Sequence, residues 1–165
     1  MKSFKLLIIL IYLMSSRQVF ANEITSNATS QIDLTNNGAG EGDPDLTVKE
    51  GITVIKDNQN NLIKGYDSDG ISSATIIVET GAKIQGKNNT IMLRQADDVT
   101  ITNSGSIISL SSKGINIRSA QDITIRTVSK IQCKNNTIML RQADEVKITN
   151  SGSIISLSSK GINIR

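Results

Sequence analysis

The chain has 165 residues, 18 of them basic and 15 acidic, with no His, no Trp and one Cys. Those counts exclude a Ser-His-Asp triad and a His/Cys zinc constellation, and a single cysteine leaves no internal disulfide. Aromatics are 2% of the chain, too few for a base-stacking platform or a sugar-stacking groove, so any core has to be built from aliphatic side chains.

In chain order, residues 1–21 read as a secretory signal peptide. "MKSFK" is basic, "LLIILIYLM" is apolar, and "SSRQVFA" carries Val19 and Ala21 at the small-residue positions of a cleavage site, which places the cut after Ala21. The apolar run falls well short of the roughly 20 residues that a membrane-spanning helix needs. Cleavage removes Lys2, Lys5 and Arg17, leaving 15 basic and 15 acidic residues. The basic pI therefore belongs to the precursor, and no nucleic-acid partner is expected. An asymmetry remains. Residues 22–81 hold ten acids and three bases, whereas residues 82–165 hold five acids and twelve bases. Opposed halves suit end-to-end self-association or a basic binding face, against the simpler reading of a solvated surface.

Residues 22–45 are polar and Gly-rich and read as a flexible leader or N-terminal cap. Residues 46–165 read as one repeat domain. In its first part, Ile52 and Val54 lie 24 residues before Ile76 and Val78, so the repeats are expected to begin near Leu46. "DSDG" at 67–70 starts like a calcium loop but lacks the closing bidentate Glu, and is read as a turn.

Residues 83–118 and 130–165 align without gaps at an offset of 47, differing only at Gly86/Cys133, Asp98/Glu145 and Thr100/Lys147. Self-similarity at a fixed period marks a solenoid or array. The 47 divides again, because five aliphatic rows recur at steps of 23 or 24. They are Ile76, Val99, Ile123, Val146; Val78, Ile101, Ile125, Ile148; Ile84, Ile107, Ile131, Ile154; Ile91, Ile115, Ile138, Ile162; and Leu93, Ile117, Leu140, Ile164. Within each coil the apolar residues alternate with polar ones, which is the period of a strand with one buried face. "DVTIT", "SIIS" and "GINIR" supply three such strands, separated by Gly, Asn and Ser clusters that tolerate tight corners. The expected fold is all-β: a right-handed parallel β-helix (solenoid) of about five coils of 23–24 residues, with three short strands per coil. Cys133 stands where the first copy has Gly86, so the repeat needs no thiol there; an incidental side chain is expected rather than an intermolecular bridge.

"VTITNSGSI" and "VKITNSGSI", set in coils of this length behind a signal peptide, resemble the passenger-region repeats of bacterial autotransporters, the type V secreted outer-membrane proteins of Gram-negative bacteria. The resemblance covers about residues 46–165. It implies export across the inner membrane, passage through an outer-membrane translocator barrel as partner, and display at the cell surface or release outside, with periplasmic residence if no translocator serves it. Many such passengers are adhesins; others carry a protease or esterase module. The chain departs from the family pattern in having no barrel, whose alternating strands and aromatic girdles would be recognisable. It is therefore expected to be the front piece of a longer protein or of a split gene, truncated at the C-terminal side.

Arg94, Arg118, Arg141 and Arg165 form a further row, at steps of 24, 23 and 24, directed outward by alternation. Four residues later come Asp98, Asp122 and Glu145. The plain reading is a charge-compensated edge; the functional reading is an anion-binding stripe for sulfated glycans or phospholipid headgroups. Asp97 and Asp98 invite comparison with the paired carboxylates of glycoside hydrolysis, but the pair recurs as Asp144 and Glu145, and a catalytic cleft seldom recurs on successive coils. No catalytic, cofactor or metal residues are assigned. The expected function is a non-enzymatic stalk or adhesin contacting host surface glycans or proteins. The alternatives are a β-helix polysaccharide lyase or hydrolase, and an inert product of gene decay.

Overall fold

The structure, a computed structural model, describes residues 22–34, 45–58, 60–65 and 71–165. The signal segment, Pro44, Tyr66 and "DSDG" lie outside them. The described residues form strands and turns with no helix. Every strand pairing is parallel. A coil with one apolar face cannot bury that face alone, so each is satisfied by the coil before and the coil after. The result is a β-solenoid of about five turns, or about 24 Å of stack at ordinary strand spacing.

Three sides make up each turn. The first is formed by β1 (Asn22–Ile24), β3 (Leu46–Val48), β6 (Ile71–Val78) and the later halves of β8 (Ile91–Asn103), β10 (Ile115–Thr127) and β12 (Ile138–Asn150). The second is a five-stranded sheet of β4 (Thr53–Lys56), β7 (Lys83–Gly86), β9 (Ser106–Ser109), β11 (Lys130–Cys133) and β13 (Ser153–Ser156). The third comprises β2 (Ile32–Asp33), β5 (Ile63–Gly65), the opening halves of β8, β10 and β12, and β14 (Ile162–Ile164). In the later coils the third and first sides run together as one 13-residue strand. The bend between them falls on Gln95, Ser119 and Gln142, with φ of 54°, 57° and 53°. Left-handed backbone is unfavourable for residues bearing a Cβ, so its recurrence at one register position in three successive coils marks a corner imposed by the stack.

Register agrees with three of the five aliphatic rows throughout. Ile84, Ile107, Ile131 and Ile154 pair in sequence, as do Ile91, Ile115, Ile138 and Ile162, and Leu93, Ile117, Leu140 and Ile164. In each row the first three residues are fully buried. A buried Ile or Leu contributes about 1.5–3 kcal/mol. Exposure rises in the last turn, where Ile162 and Ile164 have a stacking neighbour on one side only. The alternation of 23 and 24 has a simple source: the second-to-third-side connection takes four residues at 87–90 and 134–137, and five at 110–114 and 157–161.

The other two rows are correct among the later coils but slip by two at their start. Ala74, not Ile76, pairs with Val99, and Ile76, not Val78, pairs with Ile101. The corner after β6 takes four residues, 79–82, where the corner after β8 takes two, 104–105. The long corner closes a turn through Ala82 N–H to Glu79 O at 3.1 Å, with Gly81 at φ 74°, and residues 49–52 repeat it with Gly51 at φ 71°; a type II turn requires positive φ at its third residue. At the short corner Gly105 lies against that turn so closely that a Cβ would come within 2.6 Å of Glu79 O.

The spacing of 24 from Ile52 and Val54 to Ile76 and Val78 is likewise not a stacking register. Leu46 pairs with Ile76 and Val54 with Ile84, both 30 apart, because the early coils carry longer connections. Nor does pairing start at Leu46. Asn22–Ile24 pairs with Leu46–Val48, Ala28 bridges Val54, and Ile32 pairs with Ile63. Sparse apolar residues in a polar segment suffice there because the next coil supplies the rest of the buried face.

Cys133 is buried, with Sγ 3.1 Å from Asn135 O, which removes it from intermolecular bridging in the folded chain. The long corners are tied by Lys49, whose Nζ lies 3.0 Å from Glu79 and 3.3 Å from Glu23. Glu79 also accepts from Glu50 N–H at 2.9 Å.

Replacing fully buried Ile117 by Ala should cost about 2–5 kcal/mol, while Ala at half-exposed Leu110 should change stability by no more than about 0.5 kcal/mol; urea midpoints of the two variants check this. The hydrogen bond from Lys49, then that from Glu50 N–H, lowers the Glu79 pKa. A depressed carboxyl stabilises the fold above its unfolded-state pKa and loses that contribution as pH falls through the folded value. Glu79→Gln should therefore lower the urea midpoint at neutral pH, and the gap from the parent chain should close on acidification through the carboxylate range.

Candidate functional site

The arginine row is a physical ladder. Arg118 pairs in register with Arg94 on one side and Arg141 on the other. Arg165 continues it through its backbone, donating to Leu140 O at 3.1 Å and accepting from Gln142 N–H at 3.0 Å. Arg94, Arg118 and Arg141 stand at the end of the third side, one residue before the left-handed corner at Gln95, Ser119 and Gln142, and Arg165 directly follows β14 on the same side. Arg94 and Arg165 are exposed, and Arg118 and Arg141 are half-buried.

The acids form a second ladder, Asp98, Asp122 and Glu145, also in register. The expected compensation between the two is not found at the centre of the stack. Among the described residues no ion pair joins Arg118 or Arg141 to a carboxylate; the pairs formed are Lys49 with Glu23 and Glu79, and Lys64 with Asp33. The corner explains this. Ser119 and Gln142 turn the chain between the two charged positions and are themselves joined, Ser119 Oγ to Gln142 Oε1 at 2.9 Å. Arginines thus end the third side, while the acids begin the first.

The paired acidic positions lie in the open. Asp97, Asp98, Asp144 and Glu145 are all exposed, and Gln121 Nε2 donates to Asp97 Oδ1 at 3.2 Å. Near them a shallow open depression over β10 and β12 is lined by Asp122, Ile123, Thr124, Glu145, Val146 and Lys147. No group of three or more His, Cys, Asp or Glu residues able to hold a metal ion occurs among the described residues.

Two features escape a reading that follows aliphatic rows alone. The first is a polar seam in the loops that lead into the third side. Asn61 Oδ1 accepts from Asn89 Nδ2 at 2.9 Å, Asn89 Oδ1 accepts from Ser112 Oγ at 3.2 Å, and Asn136 Oδ1 accepts from Ser159 Oγ at 2.9 Å. The second is the row Met92, Asn116, Met139, Asn163, which keeps the same beat of 24, 23 and 24. By alternation it faces outward, yet its members are 2%, 1%, 2% and 5% exposed. It lies between the seam and the arginines, two residues before each arginine. Asn116 Oδ1 and Nδ2 have no hydrogen-bond partner, and neither do the buried Nε atoms of Arg118 and Arg141. Lys113 belongs to the same neighbourhood: burial lowers its pKa, and the charges of Arg118 and Arg141 lower it further. Burial, then Arg94 and Arg141, similarly lower Arg118. Cations are thus held together on this face against their mutual repulsion.

A base whose folded pKa is lowered destabilises the fold while charged, and the penalty is relieved as pH rises through the folded value. Lys113→Met should accordingly raise the urea midpoint at neutral pH, and the gain should shrink as the solution is made alkaline towards the ordinary lysine range.

No protein-family model matches the chain, and no curated protein or solved structure is significantly similar to it.

Proposed function

We propose that this chain is a non-enzymatic stalk or adhesin, exported behind its signal peptide and built like the passenger region of an autotransporter. The observation that carries the reading is the distribution of charge. Bases and acids run as separate ladders along the stack, each repeated from coil to coil, rather than converging in one cleft. Repetition suits contact with an extended surface or ligand, where many weak equivalent contacts add. A rigid stack about 24 Å long also suits a spacer that projects from a surface. The polysaccharide lyase or hydrolase alternative has weaker support, since its candidate carboxylates are exposed at each occurrence and hydrolysis needs two at a set separation across a sugar. A decayed, inert product is the third reading; finding the protein in the cell envelope of its own source would oppose it.

The experiment is expression of the precursor in a Gram-negative host, with fractionation, external protease treatment and mass spectrometry of the N-terminus. The expected outcome is a chain beginning at Asn22 in the exported fractions, accessible to protease outside the cell when a translocator is supplied. Uncleaved precursor confined to the cytoplasm would defeat the export reading.

A further inference from the structure

We propose that Arg118 and Arg141, with Asn116 and Lys113 beside them, form a binding site for the sulfate or carboxylate groups of a linear polyanionic glycan laid along the solenoid axis. The inference rests on the surface-contact reading for its biological setting. Its test uses purified protein and does not depend on export, so either can fail alone.

Four observations carry it. Arg118 and Arg141 are in-register neighbours, about 4.8 Å apart along the stack, with no carboxylate paired to either among the described residues. Their Nε atoms are buried and unpartnered, although a guanidinium is suited to bidentate contact with an oxyanion. Asn116, on the same strand and face as Arg118, is 1% exposed with both amide atoms unpartnered. A buried polar group without a partner is costly and rare enough to call for an explanation. Methionine occupies the same position in both flanking coils, Met92 and Met139, so the stack accepts an apolar side chain there and packing does not demand Asn. Lastly, Lys113 is close enough to Arg118 and Arg141 for their charges to act on it, which makes a third cation for one site.

The shape of the charged surface selects the ligand. Asp122 and Glu145 run parallel to the arginines, four residues on and past the corner. Four residues reach at most about 14 Å. The basic line is bounded by that corner, with the acids beyond it, so a narrow chain aligned with the stack fits it better than a flat anionic bilayer. The composition of the row adds a spacing. Asn recurs on alternate coils, at 116 and 163, about 9.6 Å apart, twice the strand spacing. A polymer with anionic groups at regular intervals can contact Arg118, Arg141 and Arg165 in turn along the ladder, and each further contact raises avidity.

The test is titration of the purified mature chain with a heparin fragment of defined length, with sodium sulfate, and with vesicles of phosphatidylglycerol. Variants are Arg118→Gln/Arg141→Gln, Asn116→Met, and a single-charge control, Arg126→Gln, which removes an exposed arginine on the first side. Circular dichroism and urea midpoints establish that each variant is folded. The expected result is heparin binding that weakens with added salt, a loss of at least about ten-fold in the double variant, and little change in the control. Asn116→Met should bind several-fold more weakly while being more stable than the parent chain. Loss in Arg126→Gln as large, per charge removed, as in the double variant would reduce the effect to general charge and overturn the site. So would vesicle binding as sensitive to the double substitution as heparin binding, which would reassign the ladder to a membrane surface. No heparin binding at low salt, or a stabilised Asn116→Met with unchanged binding, would likewise count against the proposal, the latter by removing Asn116 from it.

Discussion

Every feature of this molecule depends on parallel strands stacked in register, so that an inward side chain rests on its counterpart from the next turn. Parallel pairing fixes the axial repeat at about 4.8 Å and makes each coil the missing wall of its neighbour's core. Ile84, Ile107 and Ile131 are buried completely by this arrangement, as are Ile91, Ile115 and Ile138. Because β-branched and γ-branched side chains interlock well along such a column, no aromatic volume is needed. The same dependence explains why polar segments such as Asn22–Ile24 join the stack: two or three correctly placed apolar residues are enough when the adjoining coil contributes its own.

Stacking also dictates the surface. A residue type repeated at one position in every coil becomes a ladder whether or not that ladder is favourable. For Ile the outcome is a core. For Arg94, Arg118 and Arg141 it is a line of like charges, and for Asp98, Asp122 and Glu145 another. Like charges directly opposite on neighbouring strands repel. The left-handed corner at Gln95, Ser119 and Gln142 then keeps the two lines on different sides of the solenoid, so neither neutralises the other at the middle of the stack. A protein selected for stability alone has little reason to hold Lys113, Arg118 and Arg141 together while leaving Asn116 without a partner. Functional sites are where such local costs are commonly tolerated.

Alternation between two coil types gives this surface a longer wavelength than its core. Connections of four and five residues take turns, and Met takes turns with Asn two residues before each arginine. The core reads one coil, whereas the surface reads two, which is why the near-identity of the chain falls at 47 residues and its aliphatic beat at 23 or 24.

The sequence by itself determined the fold class, the length of the later coils and the register of three aliphatic rows, because period-two alternation inside a 23–24-residue repeat has few other solutions. It also placed the arginine ladder, since any residue on the same beat must stack. What it left undetermined was register wherever corner lengths change. The four-residue corner at 79–82 and the longer early connections displace rows by two or more residues, and equal spacing in the chain then ceases to mean adjacency in space. Only the tertiary structure decided that the arginines and acids lie on opposite sides of a bend, that an outward row of Met and Asn is buried, and that Lys113 shares the arginines' field. Those outcomes depend on backbone direction at single corner residues and on how loops lie over a face, and neither is encoded in hydrophobic periodicity.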